Sequence, residues 1–219
     1  GVTITWTVTA GGGSMSAPSS VTDSLGRASV TWTLGSVAGA QLATASAGFL
    51  PEVEFSATAT AGAATHVVFI SQPDTAVAGA PFPPTLYVEF RDAFGNRDAS
   101  LSDSVTMSIE SGPPGGELLP ASVLTQNITD GGGASAGQFA GLEIRTAGTY
   151  VLRATTKGGL TGLSQPLVVV PNGALQFFLV SGAFDTSAVN QPFAEPLRVR
   201  VTDSFGNPVQ GAKTWWIDQ

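Results

Sequence analysis

The 219-residue sequence predicts an all-β protein, a row of β-sandwiches without helices. Three observations predict it: apolar and polar residues alternate with a period of two, glycine and proline clusters separate the alternating runs, and one stretch of the chain recurs further along it. A period of two sends successive side chains to opposite faces of a strand. Short strands with regular turn signals between them are the pattern of a sandwich, and β-branched and aromatic side chains suit its half-covered surfaces.

The strands follow in chain order. Val2, Ile4, Trp6 and Val8 alternate with Thr3, Thr5, Thr7 and Thr9, and Ala28, Val30, Trp32 and Leu34 alternate with Ser29, Thr31 and Thr33. The same rhythm marks 53–59, 86–90, 105–109, 150–154 and 197–201. Between these runs lie glycines 11–13, residues 113–116, glycines 131–133 and Gly158-Gly159. No apolar stripe at i, i+3, i+4 is long enough for a helix.

Composition removes most catalytic classes. There is no cysteine, which rules out thiolate zinc sites, thiol nucleophiles and disulfides, and a single histidine, His66, which nearly excludes an imidazole triad. No cofactor is expected. Charged residues are 11% of the chain, against about 25% in ordinary domains. A net charge of -7 opposes binding to phosphate backbones and anionic membranes, so nucleic acid is not an expected partner. No run approaches the roughly 18 apolar residues of a membrane span, and no leader opens the chain as it stands.

Self-comparison gives the organisation. Pro81-Phe-Pro-Pro-Thr-Leu86-Tyr-Val88-Glu-Phe90-Arg-Asp92-Ala-Phe94-Gly95-Asn96 recurs as Pro192-Phe-Ala-Glu-Pro-Leu197-Arg-Val199-Arg-Val201-Thr-Asp203-Ser-Phe205-Gly206-Asn207, at a constant offset of 111 residues. Upstream, Val68-Phe-Ile70-Ser71 matches Phe178-Leu-Val180-Ser181. Ala38-Gly39-Ala-Gln-Leu-Ala-Thr-Ala45 matches Ala147-Gly148-Thr-Tyr150-Val-Leu-Arg-Ala154, and Val2-Thr-Ile-Thr matches Val105-Thr-Met-Ser. The expected division is therefore one complete domain at 63–170, the back portion of a domain at 1–61 and the front portion of one at 173–219. Short linkers at 61–64 and 171–173 predict a stiff array.

Several of these residues carry a resemblance: the Asp-x-Phe-Gly-Asn turns at 92–96 and 203–207, Val21-Thr-Asp-Ser-Leu-Gly-Arg-Ala-Ser-Val30, Ala147-Gly-Thr-Tyr150 and Phe55-Ser-Ala-Thr-Ala59. With them the chain resembles tandem bacterial Ig-like repeats of the invasin and intimin type, over nearly its whole length. The resemblance implies Ig-like sandwiches, one complete and two partial, in an extracellular or cell-surface stalk that holds an adhesive tip away from the cell. The end, Lys213-Thr-Trp-Trp-Ile-Asp-Gln219, departs from that pattern.

The broken frame has a physical consequence. A front portion would have about three strands and one apolar face, Leu197, Val199 and Val201, with no opposing sheet, and a piece of this size rarely stabilises itself without a disulfide, a metal or a partner. The back portion has the converse deficit at Trp6, Trp32 and Phe55. Strand addition between copies would repair both, giving a head-to-tail homopolymer in which 173–219 completes 1–61 of a neighbour. A window cut from a longer tandem array would show the same complementarity, with adjacent repeats as partners. Residues 211–219 also align with 1–9, so both portions carry the same strand.

The expected interface residues are Trp6, Trp32, Phe55, Leu197, Val199, Val201, Phe205, Trp215 and Trp216. One of the last two is expected to anchor a terminal strand in a neighbour. Asp92, Gly95, Asn96, Asp203, Gly206 and Asn207 are read as hairpin turns with Phe94 and Phe205 plugging the core, since an Asp and an Asn fall short of the six to eight oxygens calcium takes. Glycines 11–13 and 131–133 are loops, because no lysine and helix follow them as in a phosphate cradle. Glu52 and Glu54 share one strand face and read as a solvated surface, and His66 lacks partner ligands. Asn127-Ile-Thr129 matches the glycan-acceptor triplet. No set of acid, base, nucleophile and metal can be assembled, so catalysis is not expected. A surface adhesin segment is the second functional class, with 113–117 and 130–134 as its receptor-facing loops.

Overall fold

A computed structural model describes residues 1–133, 137–182 and 186–215. The regular structure among them is β throughout, apart from one 3-10 turn at Ala121–Val123. Two compact units form: residues 1–66 together with 90–101, and residues 67–89 together with 102–219.

In the first unit, antiparallel strands lie in the order Ser19–Val21, Thr3–Ala10, Gly39–Ser46, Val53–Ala59. A separate pair joins Gly13–Met15 to Trp32–Leu34. The threonine-rich alternation of 2–9 gives alternate exposure along Thr3–Ala10. Little of this unit is covered, and within 1–61 Ala43 is the one buried apolar side chain.

The second unit holds a closed sandwich. Its larger sheet runs Thr125–Ile128, Asp103–Ser111, Gly148–Thr156, Leu167–Val170, Thr75–Val77, with Thr161–Leu163 also paired to Gly148–Thr156. The last neighbours in that order, Leu167–Val170 and Thr75–Val77, are parallel. Leu118–Leu119 pairs with Glu143–Ile144, and Gln138–Phe139 with the start of Leu86–Arg91. Leu86, Val88, Val105, Met107, Ile128, Phe139, Leu142, Ile144, Tyr150 and Leu152 are almost fully withdrawn from water, the pattern that inward-facing alternation produces in a sandwich. Strands Gln176–Ser181 and Arg198–Thr202 then form a two-stranded sheet with no buried apolar side chain among the described residues of 173–215.

The architecture is thus all-β and Ig-like, one sandwich closed and two open. Three local expectations change. The run 28–34 is paired only over Trp32–Leu34, because Ala28 and Val30 line an open cleft where no strand meets them. The front portion has two strands among its described residues rather than three. Residues 212–215 lie in no strand of the single chain, unlike residues 3–9 with which that segment aligns, and 216–219 lie outside the described residues.

Candidate functional site

Two features stand out from the residues upward: a clamp repeated at both linkers, and an open apolar cleft.

The clamp begins with a turn. The Asp92 carboxylate accepts the amides of Phe94 and Asn96 at 2.9 Å each, and Asp203 accepts those of Phe205 and Asn207 at the same distances. Gly95 and Gly206 take φ of 86° and 85°, a left-handed conformation that glycine adopts without penalty. So far this is the hairpin turn the spacing predicts. The side chains do more. Asn96 Nδ2 donates to Ser36 O at 2.7 Å while its Oδ1 accepts from Ala38 N at 2.8 Å. Asn207 repeats the contact, Nδ2 to Arg145 O at 2.7 Å and Oδ1 from Ala147 N at 2.8 Å.

The second carboxylate oxygen of each aspartate holds the linker. Gly62 N donates to Asp92 Oδ2 at 2.9 Å, and Asn172 N to Asp203 Oδ2 at 3.0 Å. The first linker has an added tie, Ala64 N to Asp98 Oδ2 at 2.9 Å, which the second lacks because Val209 takes the matching position. These bonds explain why 90–101 folds with the first unit. The Asn96 side chain bonded to Asp92, with the amides of Gly62, Asn96 and Phe94 adding to it, brings the Asp92 pKa down to about 2 against the opposing effect of burial. At Asp203 burial is the largest influence and acts upward, but the bonds from Asn207, Asn172 and Phe205 outweigh it and the pKa is lowered.

The receiving loops are themselves pinned. Gln41 is fully buried, accepts Gly35 N at 2.7 Å and donates to Val37 O at 3.0 Å, which places Ser36 and Ala38. Tyr150 does the equivalent work with a phenol, donating to Thr146 O at 2.8 Å beside Arg145 and Ala147. A third copy of the turn, at Asp23, repeats the backbone pattern with Leu25 N and Arg27 N at 2.8 and 2.9 Å, yet carries Arg27 where the clamps carry asparagine. An arginine has donors only, so it cannot make the two-way contact.

The phenylalanines of the clamps do not plug a core, contrary to expectation. Phe94 is 74% exposed, and Phe205 lies over Gly79 with the Arg145 guanidinium 5.7 Å from its ring centre. The reason is geometric: the Asx turn commits Asp and Asn inward, which sends the three residues between them outward.

The cleft lies in the first unit. It measures about 280 Å³ and is lined by Trp6, Met15, Val30, Trp32, Ala43 and Phe55 among others. Trp6 and Phe55 meet at 6.0 Å with their planes tilted by 50°, and Trp6 Nε1 donates to Ser20 Oγ at 2.9 Å. Trp32 Nε1 is buried with no acceptor among the described residues. Trp6, Trp32 and Phe55 are thus brought together as expected of an apolar face. On Arg198–Thr202, Val199 and Val201 are half-buried, and Leu197 just before it is exposed, while Trp215 stands in solvent and Trp216 lies outside the described residues.

The remaining candidates gather into no site. Glu52 and Glu54 are exposed, and His66 Nδ1 meets the Thr65 hydroxyl at 3.0 Å. Asn127 is exposed on Thr125–Ile128. Within the candidate loop 130–134, Asp130 is exposed and glycines 131–133 are buried, Gly132 packing where an added Cβ would overlap the Val88 carbonyl, while Ala134 lies outside the described residues. Residues 113–117 remain largely exposed. No group of three or more His, Asp or Glu able to hold a metal occurs among the described residues.

No protein-family model matches the chain, and no curated protein matches it. Among solved structures it is similar to InvD of Yersinia pseudotuberculosis, with 15% identity, 95% of this chain against 62% of that one, and a TM-score of 0.41. It is similar to the D0-D1 domain of intimin, with 18% identity, 77% of this chain against 80% of that one, and a TM-score of 0.32. The S-layer protein SbsC, domains 1-6, gives 15% identity and a TM-score of 0.33, with 94% of this chain spanning 24% of that one.

Proposed function

We propose that the protein is a structural, non-catalytic component of an extracellular bacterial stalk or filament of tandem Ig-like domains, joined head to tail where the front strands of one copy complete the open back portion of the next. One observation carries this reading. Positions withdrawn from water in the closed sandwich are laid open in their repeats: Leu86 is 0% exposed and Leu197 49%, and Phe82 is 6% exposed and Phe193 51%. The cleft under Trp6, Trp32 and Phe55 is the matching deficit. Burying both faces supplies the apolar area on which association depends, at roughly 25 cal/mol per Å² before the cost of ordering. The partner is the protein itself, and no cofactor, nucleic acid or membrane span enters the reading.

Light scattering and negative-stain microscopy across a concentration series test it. Regular fibres with a repeat near two domain lengths, lost on deletion of 173–219, are the expected result. A monomer at every concentration overturns the filament. A second reading then stands, a segment of a longer adhesin stalk completed by adjacent repeats of its own chain. The recurrence of the same clamp at both linkers favours that reading, since it suits a covalent array.

A further inference from the structure

The closed sandwich contains its own record of how front strands meet back strands. Thr75, Ala76 and Val77 pair in parallel with Val168, Val169 and Val170. Beyond them, Gly79 N donates to Ile144 O at 3.0 Å and Phe82 N to Leu142 O at 2.8 Å.

Both halves of that contact recur with the partner missing. On the back side, Gly39 pairs with Ala59 as Gly148 pairs with Val169, so Thr58, Ala59 and Thr60 stand where Val168, Val169 and Val170 do. Val53–Ala59 ends the sheet order of the first unit, so among the described residues no strand neighbours that edge. Trp32 and Leu34 pair with Gly13–Met15 as Ile144 pairs with Leu118, and Gly35 is the one extra residue before the clamp loop. Because Ser16 N donates to Thr31 O at 2.9 Å, Thr31 and Thr33 face Gly13–Met15, and the carbonyls of Trp32 and Leu34 face the other way.

On the front side, Ala80 N donates to Val77 O at 3.0 Å, and Gln191 N repeats this with Ala188 O at 3.1 Å. Gly79 and Asn190, at matching positions, take φ of 72° and 65°. Segment 186–193 therefore already holds the turn of its buried counterpart. Val189 is 95% exposed where Ala78 is 0%.

We infer that a second copy of this chain docks in one register: Thr186, Ser187 and Ala188 add as a parallel strand to Thr58, Ala59 and Thr60, and the amides of Asn190 and Phe193 donate to the carbonyls of Leu34 and Trp32. This rests on the completion reading and specifies its pairing. Backbone bonds give the added strand its hold, and Val189 enters beside the cleft as the apolar side chain that fixes the register.

The chain has no cysteine, so disulfide trapping reads the register cleanly. Thr60 and Ala188 match Val170 and Val77, which are 39% and 40% exposed, so their side chains stay reachable by oxidant. Full-length Thr60→Cys is mixed with full-length Ala188→Cys and oxidised, with Thr58→Cys plus Ala188→Cys as the shifted control on the same face. Opposed strand residues lie within the roughly 4.4–6.8 Å Cα separation a disulfide spans. A covalent heterodimer from the first mixture and none from the control is the expected result. Cross-linking in the control alone, or equally in both, overturns the register while leaving completion intact. Absence of both cross-links in samples that form fibres also overturns the register, and absence of fibres overturns inter-copy completion together with the register.

Discussion

At the scale of single residues, Asn96 and Asn207 do what no other side chain in their turns can. A carboxamide gives and accepts at once, so one residue satisfies a carbonyl and an amide of the receiving loop. Asn96→Ala removes the partner of Ser36 O and Ala38 N, an expected local cost of about 0.5–1.5 kcal/mol because water reaches the freed groups. Amide exchange at Ala38 is the measurement, and it should speed up severalfold while Met107 stays protected. Asn207→Ala should do the same at Ala147. The aspartates set the acid limit of the clamps. Because the folded pKa of Asp92, about 2, lies below its unfolded value, the carboxylate contributes stability at neutral pH that is lost as the pH falls through about 4 toward 2. Thermal melts across that window should show a shallower decline for Asp92→Asn than for the unmodified chain.

At the scale of elements, equivalent strands of the repeat meet different fates. Leu86 and Leu197 occupy the same repeat position, one within a closed sandwich and one at the edge of an open face. Leu86→Ala should cost about 2–5 kcal/mol in urea denaturation, since it leaves a cavity in a packed core. Leu197→Ala should fall within about 0.5 kcal/mol in dilute solution, as surface substitutions do, and weaken fibre formation instead. The pinned loops offer a second comparison at this scale. Tyr150→Phe removes the phenol bond to Thr146 O while keeping the ring against Gly112 and Gly116. A loss of about 1 kcal/mol is expected, with faster exchange at the Ala147 amide as the specific sign.

At the scale of the whole molecule, packing is uneven. Buried apolar side chains concentrate between 67 and 170 and are nearly absent from 1–61 and 173–215 among the described residues. Local opening follows contact with the core, so hydrogen exchange in dilute samples should leave 105–107 and 150–154 slowest, with 53–59 and 176–181 fast. Above the assembly concentration, 53–59 and 198–202 should gain protection together if front strands complete back portions. With charged residues at 11%, assembly should depend weakly on salt, because apolar burial and backbone pairing are screened little.

The sequence by itself determined the all-β class, the place of most long strands and the repeat that relates front to back, because side-chain alternation and turn chemistry are local and survive without knowledge of neighbours. Run 53–59 matches its strand residue for residue. The Asp-Ala-Phe-Gly-Asn turn was legible as a turn for the same reason. Only the tertiary structure decided that Asn96 and Asn207 reach Ser36 and Arg145, some sixty residues away in the chain, since spacing within a turn does not say which carbonyl stands opposite it. It also decided the fate of Phe94, which alternation alone places inside and the Asx geometry sends out. The short strands at 75–77, 118–119 and 143–144 escaped the sequence because two or three residues carry too little period to detect, and they form where a neighbour already supplies the ladder.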